Sequence, residues 1–92
     1  MTDEVVRDLE IVNEKGLHAR ASAKLVETVE RFDARATVAR DGIETTGDSI
    51  MGLLMLAASK GSLIQVRTSG PEAVALADAL QALVADRFGE GF

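Results

Sequence analysis

The chain has 92 residues, of which 47% are apolar, and its 15 acidic and 10 basic side chains give a net charge of -5. This length predicts a single domain over residues 1–92, and the acidic balance without a basic cluster argues against DNA or RNA as the partner. The absence of cysteine excludes disulfides and thiolate metal sites. No apolar run is long enough to cross a bilayer, so we expect a cytoplasmic protein without membrane insertion.

The first elements along the chain are a strand and an amphipathic helix. Within residues 5–12, the apolar side chains at positions 5, 9 and 11 lie on one face and the acidic side chains at positions 8 and 10 on the other, as expected of a strand with one buried face. A turn over residues 13–16 precedes a helix at residues 19–32, in which Leu25 and Val29 lie on one apolar stripe.

A hairpin follows, with strands at residues 35–40 and 43–46. The intervening Asp41 and Gly42 are typical of a type I′ turn, because that turn needs a positive φ at both central positions. Ser49 is a suitable N-cap for a short helix that ends at about Met55.

The remaining residues predict a strand at 62–68 and a final helix. Pro71 suits the first position of this helix, which ends at about Arg87, and Gly89 and Gly91 then predict a frayed tail. The resulting order, β-α-β-β-α-β-α, favours an α+β domain in which helices cover one face of an antiparallel sheet.

One segment, Gly-Leu-His-Ala-Arg at residues 16–20, combines residue types suited to phosphoryl chemistry. His18, the only histidine of the chain, lies where a glycine-containing turn meets a helix start. A helix N-terminus offers unpaired amides to phosphate, a neutral imidazole there is a nucleophile, and Arg20 can reach the same anion. A surface histidine beside an unrelated arginine explains the same residues, and the residue types alone favour that simpler interpretation.

Two longer segments resemble the HPr phosphocarrier family. Residues 11–24, Ile-Val-Asn-Glu-Lys-Gly-Leu-His-Ala-Arg-Ala-Ser-Ala-Lys, resemble its active-site segment, and residues 48–56, Asp-Ser-Ile-Met-Gly-Leu-Leu-Met-Leu, resemble its regulatory-serine helix. The resemblance implies an open-faced β-sandwich with four antiparallel strands and three helices. It also implies a phosphocarrier of the phosphoenolpyruvate-dependent phosphotransferase system, a carrier and not a conventional turnover enzyme, with no metal or organic cofactor.

The same resemblance implies roles for individual residues. His18 would accept a phosphoryl group on its pros nitrogen from phospho-Enzyme I and pass it to a IIA-type acceptor protein. Arg20 would stabilise the phosphoryl group, together with the backbone amides of Ala19, Arg20 and Ala21. Ser49 would be the site at which an HPr kinase/phosphorylase acts in some lineages, although an N-cap role explains Ser49 equally well.

The branch of the family is indicated by departures from the sugar-transport pattern. Ala21 stands where many sugar-transport members have proline, and residues 11–13 and 21–24 resemble the nitrogen-related branch. We therefore expect nitrogen-related regulation in preference to sugar uptake. Asp48 precedes Ser49 where some members have a basic residue, which counts against recognition by the kinase.

A short helix cannot bury all its sides, so we expect part of the helix after Ser49 to be an exposed docking surface on a monomer. The candidate docking residues are Ile50, Met51, Leu54 and Lys24. For Lys24, a solvated helix face is the alternative.

Two other functions remain open on the sequence. The first is a regulatory binding domain of the same fold, controlled through Ser49, and the pairing of His18 with Arg20 argues against it. The second is an unrelated α+β module that binds a ligand or RNA. The negative net charge and the aromatic content of 3% argue against RNA.

Overall fold

A computed structural model describes residues 4–92, so residues 1–3 of the predicted single domain lie outside the described part. The elements in chain order are β1 (Val5–Glu10), α1 (Ala19–Glu30), β2 (Arg35–Arg40), β3 (Ile43–Thr46), α2 (Ile50–Met55), β4 (Leu63–Ser69), α3 (Ala73–Ala85) and a 3-10 turn at Arg87–Gly89. This order confirms the predicted β-α-β-β-α-β-α arrangement and the α+β class.

The four strands form one antiparallel sheet in the order β1-β4-β2-β3. One face of the sheet packs under the helices, while the other is open to solvent, where Asp8 and Gln65 lie opposite each other on β1 and β4. The core fills the space between sheet and helices. Its fully buried members include Val38 and Ile64 from the strands and Leu25, Leu76 and Leu80 from the helices.

The hairpin between β2 and β3 turns through two residues, as predicted. Asp41 has a φ of 50° and Gly42 a φ of 80°, so both occupy the left-handed region that a type I′ turn requires. The pairing of Arg40 with Ile43 places this turn at the end of the ladder and fixes the strand register.

The helix α1 presents the predicted apolar stripe to the core, with Leu25 and Val29 buried. It ends at Glu30, two residues before the predicted end, and Phe32 packs against the core from the loop that follows. Within residues 4–92, no helix is both long enough and apolar enough to cross a membrane.

The predicted start of α3 is wrong by two residues. Pro71 precedes the helix, since Glu72 is the N-cap and Ala73 the first helical residue. The amide of Glu72 donates to the carbonyl of Asp33, and the Glu72 carboxylate accepts from the amide of Asp33. These bonds tie the segment to the loop after α1 and delay the helix.

The predicted frayed tail is also wrong for the residues directly after α3. Phe88 is fully buried in the core, and the 3-10 turn around it returns the chain toward the start of α1. The apolar side chain of Phe88 therefore holds the residues after α3 against the domain despite the neighbouring glycines.

Candidate functional site

His18 is the N-cap residue of α1, and its backbone is extended with a φ of -78° and a ψ of -176°. The first bond of the helical ladder runs from the Ser22 amide to the His18 carbonyl, at 2.8 Å. The amides of Ala19, Arg20 and Ala21 therefore precede the ladder and remain available to an anion. The first turn of α1 itself carries no acidic side chain.

The loop before His18 is pressed against the segment that follows α2. The Leu17 amide donates to the Ala58 carbonyl at 2.9 Å, and Gly16 lies so close that a Cβ there would be 2.5 Å from the same oxygen. Beside this contact is a shallow depression of about 170 Å³, lined by Lys15, Leu17, His18, Ala57, Ala58 and Ser59. The backbone contact thus joins the loop before His18 to the segment that follows α2.

Replacing Gly16 with alanine should destabilise the domain strongly. Its φ of +66° is unfavourable for a side chain, and the new Cβ would meet backbone that cannot rotate away. The two effects together should lower the free energy of unfolding by about 2–4 kcal/mol, measured by denaturant unfolding. Gly42→Ala is the matched control, since Gly42 has a φ of +80° but nothing within 4 Å. Equal losses for both variants would show that contact with Ala58 is unimportant.

A carboxylate from the other end of the chain meets the imidazole. Nε2 of His18 lies in hydrogen-bonding contact with Oε2 of Glu90. The other carboxylate oxygen of Glu90 accepts from Nδ2 of Asn13 at 2.9 Å, and the same amide donates to the Gly16 carbonyl at 2.8 Å. The side chain of Glu90 is only 11% exposed, against 26% for His18. The imidazole is therefore held by a partly buried network.

The surroundings of Glu90 keep it ionised. Burial on its own would raise its pKa, but the hydrogen bonds from Asn13 and His18 and the positive charges of His18 and Lys15 outweigh burial, so the pKa is lowered. Glu90 is therefore a carboxylate at neutral pH.

The lowered pKa of Glu90 predicts how its contribution to stability depends on pH. A carboxyl group whose pKa is lower in the folded than in the unfolded state stabilises the fold above its unfolded pKa and loses that effect as pH falls through the folded value. The difference in unfolding free energy between the parent and Glu90→Gln should therefore shrink as pH falls from about pH 5 into the acid range. If denaturant titrations gave the same difference in unfolding free energy at neutral and at acid pH, the prediction would be wrong.

Arg20 is the second residue of α1 and is exposed. Its guanidinium makes no ion pair or side-chain hydrogen bond within residues 4–92. The group can therefore bind an anion at the helix end without first leaving another partner.

Ser49 is the N-cap residue of α2, as the sequence predicts. Its Oγ accepts a hydrogen bond from the Gly52 amide at 3.0 Å, and the residue is partly exposed. The hydroxyl of Ser49 thus caps α2. The predicted modification of Ser49 stays a prediction.

An apolar surface follows Ser49 on α2. Met51 and Met55 are 70% and 69% exposed, Ile50 is also exposed, and Leu54 is partly exposed, while Leu53 is buried. We call Ile50, Met51, Leu54 and Met55 the α2 patch. The sequence indicates three of its members but misses Met55, which the spacing of four residues from Met51 on one helix face would have revealed.

Lys24 does not project freely from its helix. Its ammonium group donates to the Phe88 carbonyl at 2.6 Å and is partly buried. This contact joins α1 to the residues after α3, and the predicted docking role of Lys24 stays a prediction.

Fold and site together define a class of protein: an open-faced β-sandwich that presents one histidine at a helix N-terminus beside an exposed arginine. Residues 5–86 match the family model described as PTS HPr component phosphorylation site. The chain therefore belongs to the HPr family, the phosphocarrier proteins of the phosphotransferase system.

Individual relatives are similar in sequence to this chain along nearly their whole length. The phosphocarrier protein HPr of Cupriavidus necator is 48% identical over 85 residues, which cover 92% of this chain and 96% of the relative. The HPr of Xylella fastidiosa strain Temecula1 is 43% identical over 83 residues, which cover 90% and 93% of the two chains.

Solved structures agree on the fold. HPr from Thermoanaerobacter tengcongensis superposes with a TM-score of 0.91 at 32% identity and covers 96% of this chain and 99% of that one. An HPr from Bacillus anthracis gives a TM-score of 0.85 at 34% identity, with 89% and 98% covered. The predicted open-faced β-sandwich is thereby confirmed.

Proposed function

We propose that Nδ1 of His18 accepts a phosphoryl group from phospho-Enzyme I, charged by phosphoenolpyruvate, and that the chain then delivers it to a IIA-type acceptor protein. One observation carries this proposal: His18 occupies the N-cap position of a helix whose first amides lie outside the helical ladder. The contact of Nε2 with Glu90 supports Nδ1 as the reacting atom, because it occupies the other ring nitrogen.

The transfer needs a nucleophile, a site for the moving charge and access by two proteins. The Nδ1 lone pair forms a bond to phosphorus as the bond to the donor breaks, and the electron pair of that bond stays with the donor. Arg20 and the amides of Ala19, Arg20 and Ala21 bind the phosphoryl oxygens, whose charge dominates such transition states. Since His18 is partly exposed beside a shallow depression, the phosphoryl group can be approached directly by a protein partner.

The α2 patch is the proposed contact for both partners. Its exposed methionines can repack against different surfaces. The backbone contact between Leu17 and Ala58 places the segment after α2 next to the loop before His18. We infer that donor and acceptor bind the same patch in turn. The protein acts as a cytoplasmic monomer, and residues 11–13 with Ala21 favour nitrogen-related regulation over sugar uptake.

The proposed function is tested by a transfer in two steps. Incubation with phosphoenolpyruvate, Mg²⁺ and a cognate Enzyme I should give an acid-labile phosphoprotein, and later addition of a IIA-type protein should remove the label from the chain. No label in the first step would contradict the proposal. Label that persists when a range of IIA-type proteins is added would overturn the delivery step alone.

Phosphorylation of Ser49 by a kinase would regulate docking, and a pair of variants tests this. Ser49→Asp replaces the hydroxyl with a carboxylate that can also cap α2, so the melting temperature should be unchanged. The added charge beside the α2 patch should slow phosphoryl acceptance through weaker binding of Enzyme I. Ser49→Ala, the control, should lose about 0.5–2 kcal/mol of stability and keep the parent rate. Unchanged acceptance by Ser49→Asp would show that Enzyme I does not contact this surface.

A further inference from the structure

The segment after α3 is held on the domain by several independent contacts. Phe88 is fully buried, and the Lys24 ammonium group binds its carbonyl at 2.6 Å. Arg87, Phe88 and Gly89 all have positive φ, at 55°, 55° and 76°. Two successive non-glycine residues in the left-handed region are unfavourable for an isolated chain, so the surrounding contacts must impose this path. We call residues 86–92 the C-terminal segment.

The C-terminal segment places the carboxylate of Glu90 against the imidazole of His18. Glu90 accepts from Nδ2 of Asn13 with one oxygen and meets Nε2 of His18 with the other. Asn13 is fully buried and is itself fixed by its bond to the Gly16 carbonyl, within the loop that leads to His18. The contacts with Asn13 and His18 therefore fix the position of the Glu90 side chain in the unphosphorylated protein.

Resting on the proposed function, we propose that Glu90 is a positioning residue that keeps a proton on Nε2 of His18, and that Lys24 holds Glu90 in place through Phe88. The proton of a neutral imidazole lies on one of its two nitrogens, and a hydrogen bond accepted from one nitrogen selects that tautomer. A carboxylate that accepts from Nε2–H leaves the lone pair on Nδ1. Carboxylates orient histidines in this way in metal sites and in hydrolase triads.

The same proton matters when the phosphoryl group leaves. After Nδ1 has formed its bond to phosphorus, the ring carries a positive charge with the proton still on Nε2. When that bond breaks toward an acceptor, its electron pair returns to Nδ1 and the leaving group is neutral imidazole. Without the Nε2 proton the leaving group would be an imidazolate, a far stronger base and a poorer leaving group. Glu90 holds the proton in both states, so no proton moves during the transfer.

This role gives Lys24 a function different from docking. A docking lysine acts on the binding of a partner protein, whatever the state of Glu90. A lysine that holds the C-terminal segment acts only through Glu90. The contact of Lys24 with the Phe88 carbonyl, two residues before Glu90, favours the second role.

The first test needs no partner protein. Imidazole ¹⁵N spectra of the unphosphorylated parent, at a pH where the ring is neutral, should show the tautomer with the proton on Nε2. Glu90→Ala should give a mixture with a measurable share of the Nδ1–H form, while Glu90→Gln, whose amide oxygen still accepts, should lie between them. Glu44→Gln is the matched control, since Glu44 has an ion pair with Arg67 and lies on β3. Identical tautomer populations in the parent and Glu90→Ala would overturn the proposal.

The second test measures transfer. Glu90→Ala should accept and release the phosphoryl group at least about 10-fold more slowly than the parent, the lower end of the losses seen when a carboxylate that orients a metal-binding histidine is removed. Glu44→Gln should keep the parent rate. Lys24→Met should also be slower, but it should add nothing in the Glu90→Ala background. Equal losses from Lys24→Met in both backgrounds would overturn the role given to Lys24.

The two proposals fail in different ways. If the parent takes no label from Enzyme I, the proposed function fails, and the ¹⁵N spectra still decide whether Glu90 selects the tautomer. If the parent is labelled and Glu90→Ala matches it in both rate and tautomer, the phosphocarrier function stands and the positioning role of Glu90 is wrong. Melting temperatures of all variants show whether a slower rate reflects loss of the fold. If Glu90→Ala is destabilised, the rate and the tautomer population are compared between the parent and Glu90→Gln, which keeps the size of the side chain.

Discussion

Replacing His18 with alanine should abolish phosphoryl acceptance from Enzyme I and leave the melting temperature close to that of the parent. The side chain makes no capping hydrogen bond to the helix, and it is partly exposed, so alanine removes little that holds the fold together apart from the contact with Glu90. Glu90 keeps its second partner, Asn13, when the imidazole is gone. The nucleophile, however, is lost completely, and no other histidine is present in the chain to replace it.

The measurement is label incorporated from phosphoenolpyruvate through Enzyme I, compared for parent and variant at equal concentration. Circular dichroism melting on the same samples is the control for folding. Normal labelling of His18→Ala would remove His18 from the mechanism. A folded variant with no label is the expected result.

Replacing Arg20 with alanine should slow phosphoryl acceptance by ~10- to 100-fold, in line with the loss of one charged contact of ~1.5–3 kcal/mol in the transition state. Since the guanidinium has no protein partner in the described part of the chain, stability should not change. Arg20→Lys should recover only part of the rate, because an ammonium group cannot make two parallel bonds to one phosphoryl group.

The matched control for Arg20 is Arg31→Ala, which removes an exposed arginine at the opposite end of α1. It changes the net charge by the same amount, so a general effect of charge on the encounter with Enzyme I would appear in both variants. Single-turnover rates at saturating Enzyme I separate chemistry from binding. Equal rates for Arg20→Ala and the parent would show that Arg20 does not stabilise the moving phosphoryl group.

Local signals in the sequence predict most of the fold. The Asp41-Gly42 turn has the positive φ values that its residue types indicate, and Ser49 is the N-cap of α2, as predicted. Both features depend on residues that are neighbours in the chain. The position of His18 at the start of α1 follows in the same way from a glycine-containing turn next to an amphipathic helix.

The parts that the sequence did not predict depend on contacts between distant segments. Glu90 meets His18 across 72 positions of sequence, so no periodicity or spacing in either segment indicates the pair. Two nearby glycines suggested a frayed end, but the burial of Phe88 outweighs their conformational freedom. Pro71 fits a helix start by its residue type, and bonds between Glu72 and Asp33 shift the start. The sequence therefore predicts the position of His18 at the start of α1, whereas the contact with Glu90 depends on tertiary structure.

The most direct test of the central proposal is to locate the phosphoryl group on the modified protein. We expect ³¹P and ¹⁵N spectra of protein phosphorylated through Enzyme I to show a single phosphoryl group, coupled to Nδ1 of His18. The Nε2 resonance should keep its proton, in contact with Glu90. A phosphoryl group on Nε2, or on any residue other than His18, would contradict the proposal.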